Sequence, residues 1–318
     1  MSKSTVPARK PARPPAPVKS APRGRRPSPR LSGWLLFLLL VLILAGLAWW
    51  FWPRTSGPRP PKSGWPAEIE AQRQTASERG LVYAGLPRPA HPDPTLVILR
   101  NTGYVAGYSE SRQDPLWVGY VLEGAPRGPA GKRPSKFATD ERTQSRVKHD
   151  EFTSTGFDRG HMAPNAGIAA RFGLDAQRET FLLTNIVPMT PDLNRRVWQK
   201  LERLESDTWA PRFGKVWVLT GPVFDATREL LGETSDRDRS RSRVEIPDGF
   251  YKILVDEDGP EIRVLPFLFP QEVRGTETPR QFLTSVDRIE QLTGLDFLWA
   301  LNDPHEEAIE RETPKNTW

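Results

Sequence analysis

At 318 residues the chain has room for one large domain or two small ones with extensions. Its formal net charge of +6 comes from the N-terminus: residues 1–62 hold twelve Lys or Arg and no Asp or Glu, leaving 33 basic against 39 acidic residues, a formal charge of −6, in the remainder. That balance excludes a uniformly basic nucleic-acid binder and confines any such site to a local patch, while the absence of Cys excludes disulfides, Cys-ligated zinc and thiol nucleophiles.

Residues 1–30, rich in Pro, Ala, Ser, Lys and Arg, have no apolar periodicity and read as a disordered basic arm. Residues 31–53, LSGWLLFLLLVLILAGLAWWFWP, carry no charge. At ~1.5 Å per residue the run is roughly 30–35 Å long and matches a bilayer core, so it predicts a transmembrane anchor. Trp49, Trp50 and Trp52 form an aromatic belt at its far end, and nine Lys or Arg precede it. The positive-inside bias then keeps the N-terminus cytoplasmic and places the rest in a periplasmic or extracellular space. A cleaved signal peptide is the competing reading; the long apolar run and the lack of an A-x-A site weigh against it. Residues 54–65 read as a Pro-rich spacer, 66–303 as one folded domain and 304–318 as a C-terminal tail.

Within the domain, Leu96–Asn101, Leu116–Leu122, Lys215–Thr220, Phe250–Val255 and Ile262–Phe267 predict strands, being short, apolar and bounded by Gly, Pro or Asp. Thr190-Pro191 opens a helix through about Ser206, with Val197, Leu201 and Leu204 as its buried stripe. Thr278-Pro279 opens another, with Phe282, Val286, Ile289 and Leu292 on one face and Gly294 as its stop. Strands and helices do not alternate regularly, which predicts α+β with a central antiparallel sheet flanked by helices.

The chemistry concentrates in GFDRGHMAPNAG, Gly156–Gly167. Histidine suits a general base near neutral pH, the planar fork of arginine suits an anionic phosphate, and glycine allows close backbone approach. Asp158, Arg159, Gly160 and His161 thus supply parts for phosphodiester hydrolysis, a metal still missing. In FLLTNIVPMTPDLNRRVWQKLE, Phe181–Glu202, the residues Asn194 and Glu202 differ by ~80° and two turns, so both can face one cleft. An Asn carbonyl with few other protein ligands suits Mg²⁺. Trp198 reads as core, and His91, His149 and His305 have no motif around them. No Walker loop, HExxH or GxSxG is present.

DRGHMAPNA, the TNIVPM…LN…W…LE block, TGPVF at Thr220–Phe224, IPDGFYKI at Ile246–Ile253 and SVDRIEQLTGLDF at Ser285–Phe297 together resemble the DNA/RNA non-specific endonucleases, the ββα-metal (His-Me finger) nucleases that include endonuclease G-like enzymes. The resemblance spans about Leu81 to Leu298. It implies a ββα-metal fold and one-metal hydrolysis of DNA and RNA to 5′-phosphate and 3′-hydroxyl ends. It implies His161 as general base, Asn194 as the single protein ligand of Mg²⁺ (or another divalent such as Mn²⁺), and Glu202 as the acid that positions metal-bound water. It further implies Arg159 near the phosphate, Asp158 as an orienting residue, and Asn185 and Arg133 on the substrate side. The family is often dimeric, which allows a homodimer. One departure stands out: secreted members carry an arginine twelve residues past the metal asparagine, where this chain has Ser206. A catalytically weak nucleic-acid-binding protein of the same fold and a non-nucleic phosphodiesterase are the alternative readings.

Overall fold

The computed structural model describes residues 80–124, 128, 131–234, 242–258, 261–301 and 303–318. The expected arm, anchor and spacer lie outside these residues, and among the described residues no helix is long and apolar enough to cross a membrane.

Six strands form one antiparallel sheet in the order β2-β3-β4-β7-β8-β9: β2 Leu96–Arg100, β3 Tyr104–Ser109, β4 Asp114–Glu123, β7 Lys215–Val223, β8 Gly249–Asp258 and β9 Glu261–Pro270. Both faces are covered, so even YVAGYS in β3 is buried at every position. Alternation along the strand divides it between two cores. Tyr104, Ala106 and Tyr108 enter one, Val105 the other. All five expected strands are present. β3 was not foreseen.

The first core is capped by a smaller unit. β5 (Asp158–His161) pairs antiparallel with β6 (Ile186–Met189), His161 lying opposite Ile186. α1 (Asn165–Phe172) and α2 (Leu174–Glu179) fill the connection between them. The chain then enters a long helix, α3, residues 191–213. This β5, β6, α3 succession is the ββα arrangement that the resemblance implied. α3 starts at Pro191 as expected but runs seven residues past Ser206, until Gly214 adopts a left-handed φ of 81°. Leu193–Trp198 and Leu204–Trp209 within it are wound as π-helix, a form that often accompanies functional sites. Val197 and Leu201 are buried as expected, joined by Leu193, Trp198 and Trp209.

The helix expected from Thr278 to Gly294 is two pieces. A 3₁₀ turn, Pro279–Phe282, is followed by extended chain, in which Thr284 N–H bonds Pro266 O at 3.1 Å. Only then does α4 (Val286–Thr293) begin, capped by Ser285 Oγ and stopped at Gly294 in the left-handed region. The reason is that the presumed single apolar face serves two cores: Phe282 packs on the first, while Val286, Ile289 and Leu292 pack on the second, across the sheet. β10 (Leu295–Asp296) pairs with β1 (Arg88–Pro89), and α5 (Asp303–Arg311) follows. The expected tail is packed too, for Trp318 meets Trp209 edge-on with ring centroids 5.6 Å apart.

Candidate active site

β5 presents alternate residues to opposite sides. Arg159 and His161 both reach Phe137, at 5.8 and 5.4 Å from its ring. Asp158 turns instead toward the first turn of α3. Its Oδ2 accepts from Asn194 Nδ2 at 2.9 Å, and both its oxygens accept from Arg195, at 2.6 and 2.7 Å. Those bonds hold the carboxyl below its usual range, against burial, which acts to raise it. Gly160 lies against Met189, where an added Cβ would come within 2.8 Å of the Met189 Cβ. A larger residue there would lever β5 off β6.

His161 is buried, with the Phe181 ring edge-on at 5.0 Å. Its Nε2 is buried without a hydrogen-bond partner. Burial, and then the charge of Arg133, pull the imidazole down to about 3. The ring is therefore neutral at physiological pH, the form a base requires. Its backbone is tied to α3 by Trp198 Nε1, which donates to His161 O at 3.3 Å.

Two turns along α3, Glu202 Oε1 is likewise buried and unpartnered, although the residue as a whole is only half-buried. Burial lifts this carboxyl to about 7, opposed chiefly by the charge of Lys252. Lys252 itself is fully buried. It donates to Glu205 Oε1 at 2.7 Å, while Tyr120 donates its hydroxyl to Glu205 Oε2 at 2.8 Å. The ammonium lies 4.4 Å from the centre of the Trp198 ring. This network joins β4, β8 and α3 beneath the site.

A cleft of about 610 Å³ gathers Asp158, Arg159, His161, Asn194, Glu202 and Arg133 along its walls. Arg133 is exposed and stands 5.2 Å from the Phe181 ring. Arg159 is anchored at the edge, donating to His149 O at 2.7 Å and Thr153 Oγ1 at 3.0 Å. Asn185 does not reach the cleft, which corrects the expectation of a substrate contact. It is fully buried and all of its side-chain polar atoms are engaged: Oδ1 accepts from Ala163 N–H at 2.8 Å, and Nδ2 donates to Ala163 O and Thr180 O. It clamps the chain that follows His161. Sequence reasoning missed Arg195, although it adjoins Asn194. It also missed Lys252, whose signal was a lone charge inside the apolar run FYKILV.

The donor set fits a hard divalent cation. Asn194 spends an amide hydrogen on Asp158, leaving its carbonyl oxygen as the atom for a metal. Nearby, His161 Nε2 and Glu202 Oε1 lack partners that water in the shell of such a cation could supply.

Residues 89–303 match the family model described as DNA/RNA non-specific endonuclease. The chain is 30% identical over 202 residues to "Endonuclease G, mitochondrial" of Homo sapiens, covering 61% of this chain and 67% of that protein. It is 28% identical over 236 residues to "Nuclease" of Nostoc sp., covering 70% and 80%. A crystal structure of the EndoG/EndoGI complex shares the fold, with a TM-score of 0.55 and 24% identity, over 64% of this chain and 86% of that one.

Proposed function

This chain belongs to the DNA/RNA non-specific endonuclease family of metal-dependent nucleases, and from that premise we propose that its cleft hydrolyses the phosphodiester bonds of both DNA and RNA, with His161 as general base and Asn194 as the protein ligand of the metal. The observation that carries this reading is the meeting of two buried, unpartnered atoms, His161 Nε2 and Glu202 Oε1, with Asn194 in a cleft edged by arginines.

The chain's own groups divide the work as follows. The neutral His161 imidazole takes a proton from the water that attacks phosphorus, the P–O3′ bond breaks, and the leaving 3′ oxygen takes a proton from water in the cleft. Asp158 fixes the Asn194 amide and so aims its carbonyl. Glu202 accepts hydrogen bonds from water inside the cleft, its carboxylate favoured by the Lys252 ammonium. Arg159 and Arg133 offer guanidinium groups to the phosphate oxygens. A divalent cation, Mg²⁺ or Mn²⁺, supplies charge stabilisation for the phosphoryl oxygens when bound. These contacts address the sugar-phosphate backbone, which is common to every base sequence.

Cleavage of supercoiled plasmid and of RNA in Mg²⁺, abolished by EDTA and by His161→Ala, is the expected result. A folded wild type inert toward both polymers with every divalent metal would leave a nucleic-acid-binding protein of the same fold or a non-nucleic phosphodiesterase. The charge-free apolar run 31–53 supports a further part of the reading, that the nuclease is tethered to a membrane with its domain outside the cytoplasm. Retention of the full chain in alkaline-washed membranes tests this; release into the wash refutes it.

A further inference from the structure

A second concentration of charge lies away from the cleft. α4 contributes Asp287 and Glu290, β10 contributes Asp296, and α5 contributes Glu306 and Glu310. Their carboxylates form two triads, Asp287–Glu290–Glu310 and Asp296–Glu306–Glu310, within each of which the oxygens lie within 4.8 Å of one another. Glu310 is common to both. It is only 5% exposed, and its Oε1 is buried with no hydrogen-bond partner. No described Lys or Arg forms an ion pair with Asp287, Glu290 or Glu310; Arg311 reaches instead to Glu307. Glu290 has one backbone donor, Phe297 N–H at 2.8 Å. Burial first, and then the neighbouring carboxylates, push Glu290 up to about 8 and Glu310 up to about 9. Within the Asp287–Glu290–Glu310 triad, carboxylates gathered this closely oppose their own ionisation unless a cation joins them, whereas Asp296 and Glu306 have further partners of their own.

We propose that this cluster is a calcium site, with Glu310 as the shared ligand, that fastens the C-terminal helix α5 to α4 and β10. The ligand set favours this ion: Ca²⁺ takes six to eight oxygens at about 2.3–2.6 Å and readily accepts several carboxylates, mono- or bidentate, whereas Mg²⁺ keeps several waters and is held by one or two. An all-carboxylate set offers nothing to a soft metal. The site is separate from the catalytic one. Val286, Ile289 and Leu295 beside the cluster belong to the second core, whereas Leu193 and Trp198 beside the cleft belong to the first, on the other face of the sheet. Because β10 pairs with β1, the ion would also secure the first strand of the described fold.

The test uses the full chain, stripped with EDTA and returned to buffer at pH 7.5, with 1 mM CaCl₂ or MgCl₂ added. Asn194→Ala removes the ligand in the cleft and isolates the second site. Calcium should raise the Tm of wild type and of Asn194→Ala alike by about 5 °C or more, and magnesium should raise it less. Glu310→Gln should lose the calcium shift while keeping Mg²⁺-dependent plasmid cleavage. Should that variant fail to fold, the half-buried Asp287→Asn should weaken calcium binding about tenfold in calorimetry. No calcium response in Asn194→Ala overturns the proposal. So does an undiminished response in Glu310→Gln or Asp287→Asn, or an equal shift from magnesium.

Discussion

Replacing Asn185 by Ala should destabilise the domain and lower turnover without weakening substrate binding. The side chain is fully buried and makes three hydrogen bonds, to Ala163 N–H at 2.8 Å, Ala163 O at 3.1 Å and Thr180 O at 3.0 Å. At about 1 kcal/mol net each, their loss amounts to roughly 3 kcal/mol, and the stranded Ala163 N–H adds to it. For a domain of this size that corresponds to a Tm lowered by about 6–12 °C. The bond from Met162 N–H to Asn185 O is a backbone bond and survives, so β5 and β6 stay in register. His161 then sits on a looser chain, and kcat falls with KM held within about twofold. Asn185→Asp should be no milder, because it sets a carboxylate oxygen against two carbonyls. Thermal melts with steady-state kinetics on plasmid and RNA, well below the Tm, decide the matter. An unchanged Tm with a tenfold higher KM would refute the structural role and restore a substrate contact.

Burial keeps the folded His161 near 3, so between there and the usual value of ~6.5 the unfolded chain binds one more proton. Stability should therefore rise with pH across that window, and fall on acidification, by at most ~1.4 kcal/mol per pH unit; urea midpoints from pH 4 to 6.5 should show this slope reduced in His161→Gln. Lys252→Met strands the buried Glu205 carboxylate and should cost about 3–5 kcal/mol. Adding Glu205→Leu should recover most of that in a double-mutant cycle; a Glu205→Leu single variant already as stable as wild type would show the pair is not needed. Asp158→Ala releases the Asn194 amide and should raise the Mg²⁺ concentration for half-maximal cleavage about tenfold or more, with activity returning at high Mg²⁺. An unchanged Mg²⁺ profile counts against Asn194 as the ligand.

The legible parts of the fold were those in which one segment carries its own signal. Five strands announced themselves as apolar runs between turn residues, and Thr190-Pro191 marked the start of α3. β3 did not, because Ala106 and Gly107 dilute YVAGYS. β5 is DRGH, a polar tetrapeptide that is a strand only through its pairing with β6. The part of α3 beyond Ser206 packs against Trp318, more than a hundred residues away, which meets both Trp209 and Phe213. The site divides in the same way. His161, Arg159 and the Asn194–Glu202 spacing are local and were readable. The Lys252–Glu205–Tyr120 network joins two strands and a helix, and the burial of Asn185 depends on a turn folding back on Ala163. Neither has a linear signature.

The departure at Ser206 gains a physical meaning from these long-range contacts. Its hydroxyl and its carbonyl both accept from Arg171 of α1, each at 3.0 Å. Arg171 also donates to Glu123 O at 2.6 Å and to Gly167 O at 3.3 Å. The guanidinium is buried, and burial lowers it from its usual range. A second arginine at position 206 would press a like charge onto this one where water screens little. The serine and the buried arginine are thus two halves of one arrangement. Arg171 lies in the junction of α1, α3 and β4, where it binds backbone carbonyls and the Ser206 hydroxyl. Arg133 and Arg203 remain exposed along the cleft, on flexible stems that lose more freedom when they grip a phosphate. His161, Asn194 and Glu202 make none of these contacts. Ser206 should therefore weaken or alter the hold on a polyanion without abolishing cleavage, and a wild type with no detectable activity on either DNA or RNA would refute this.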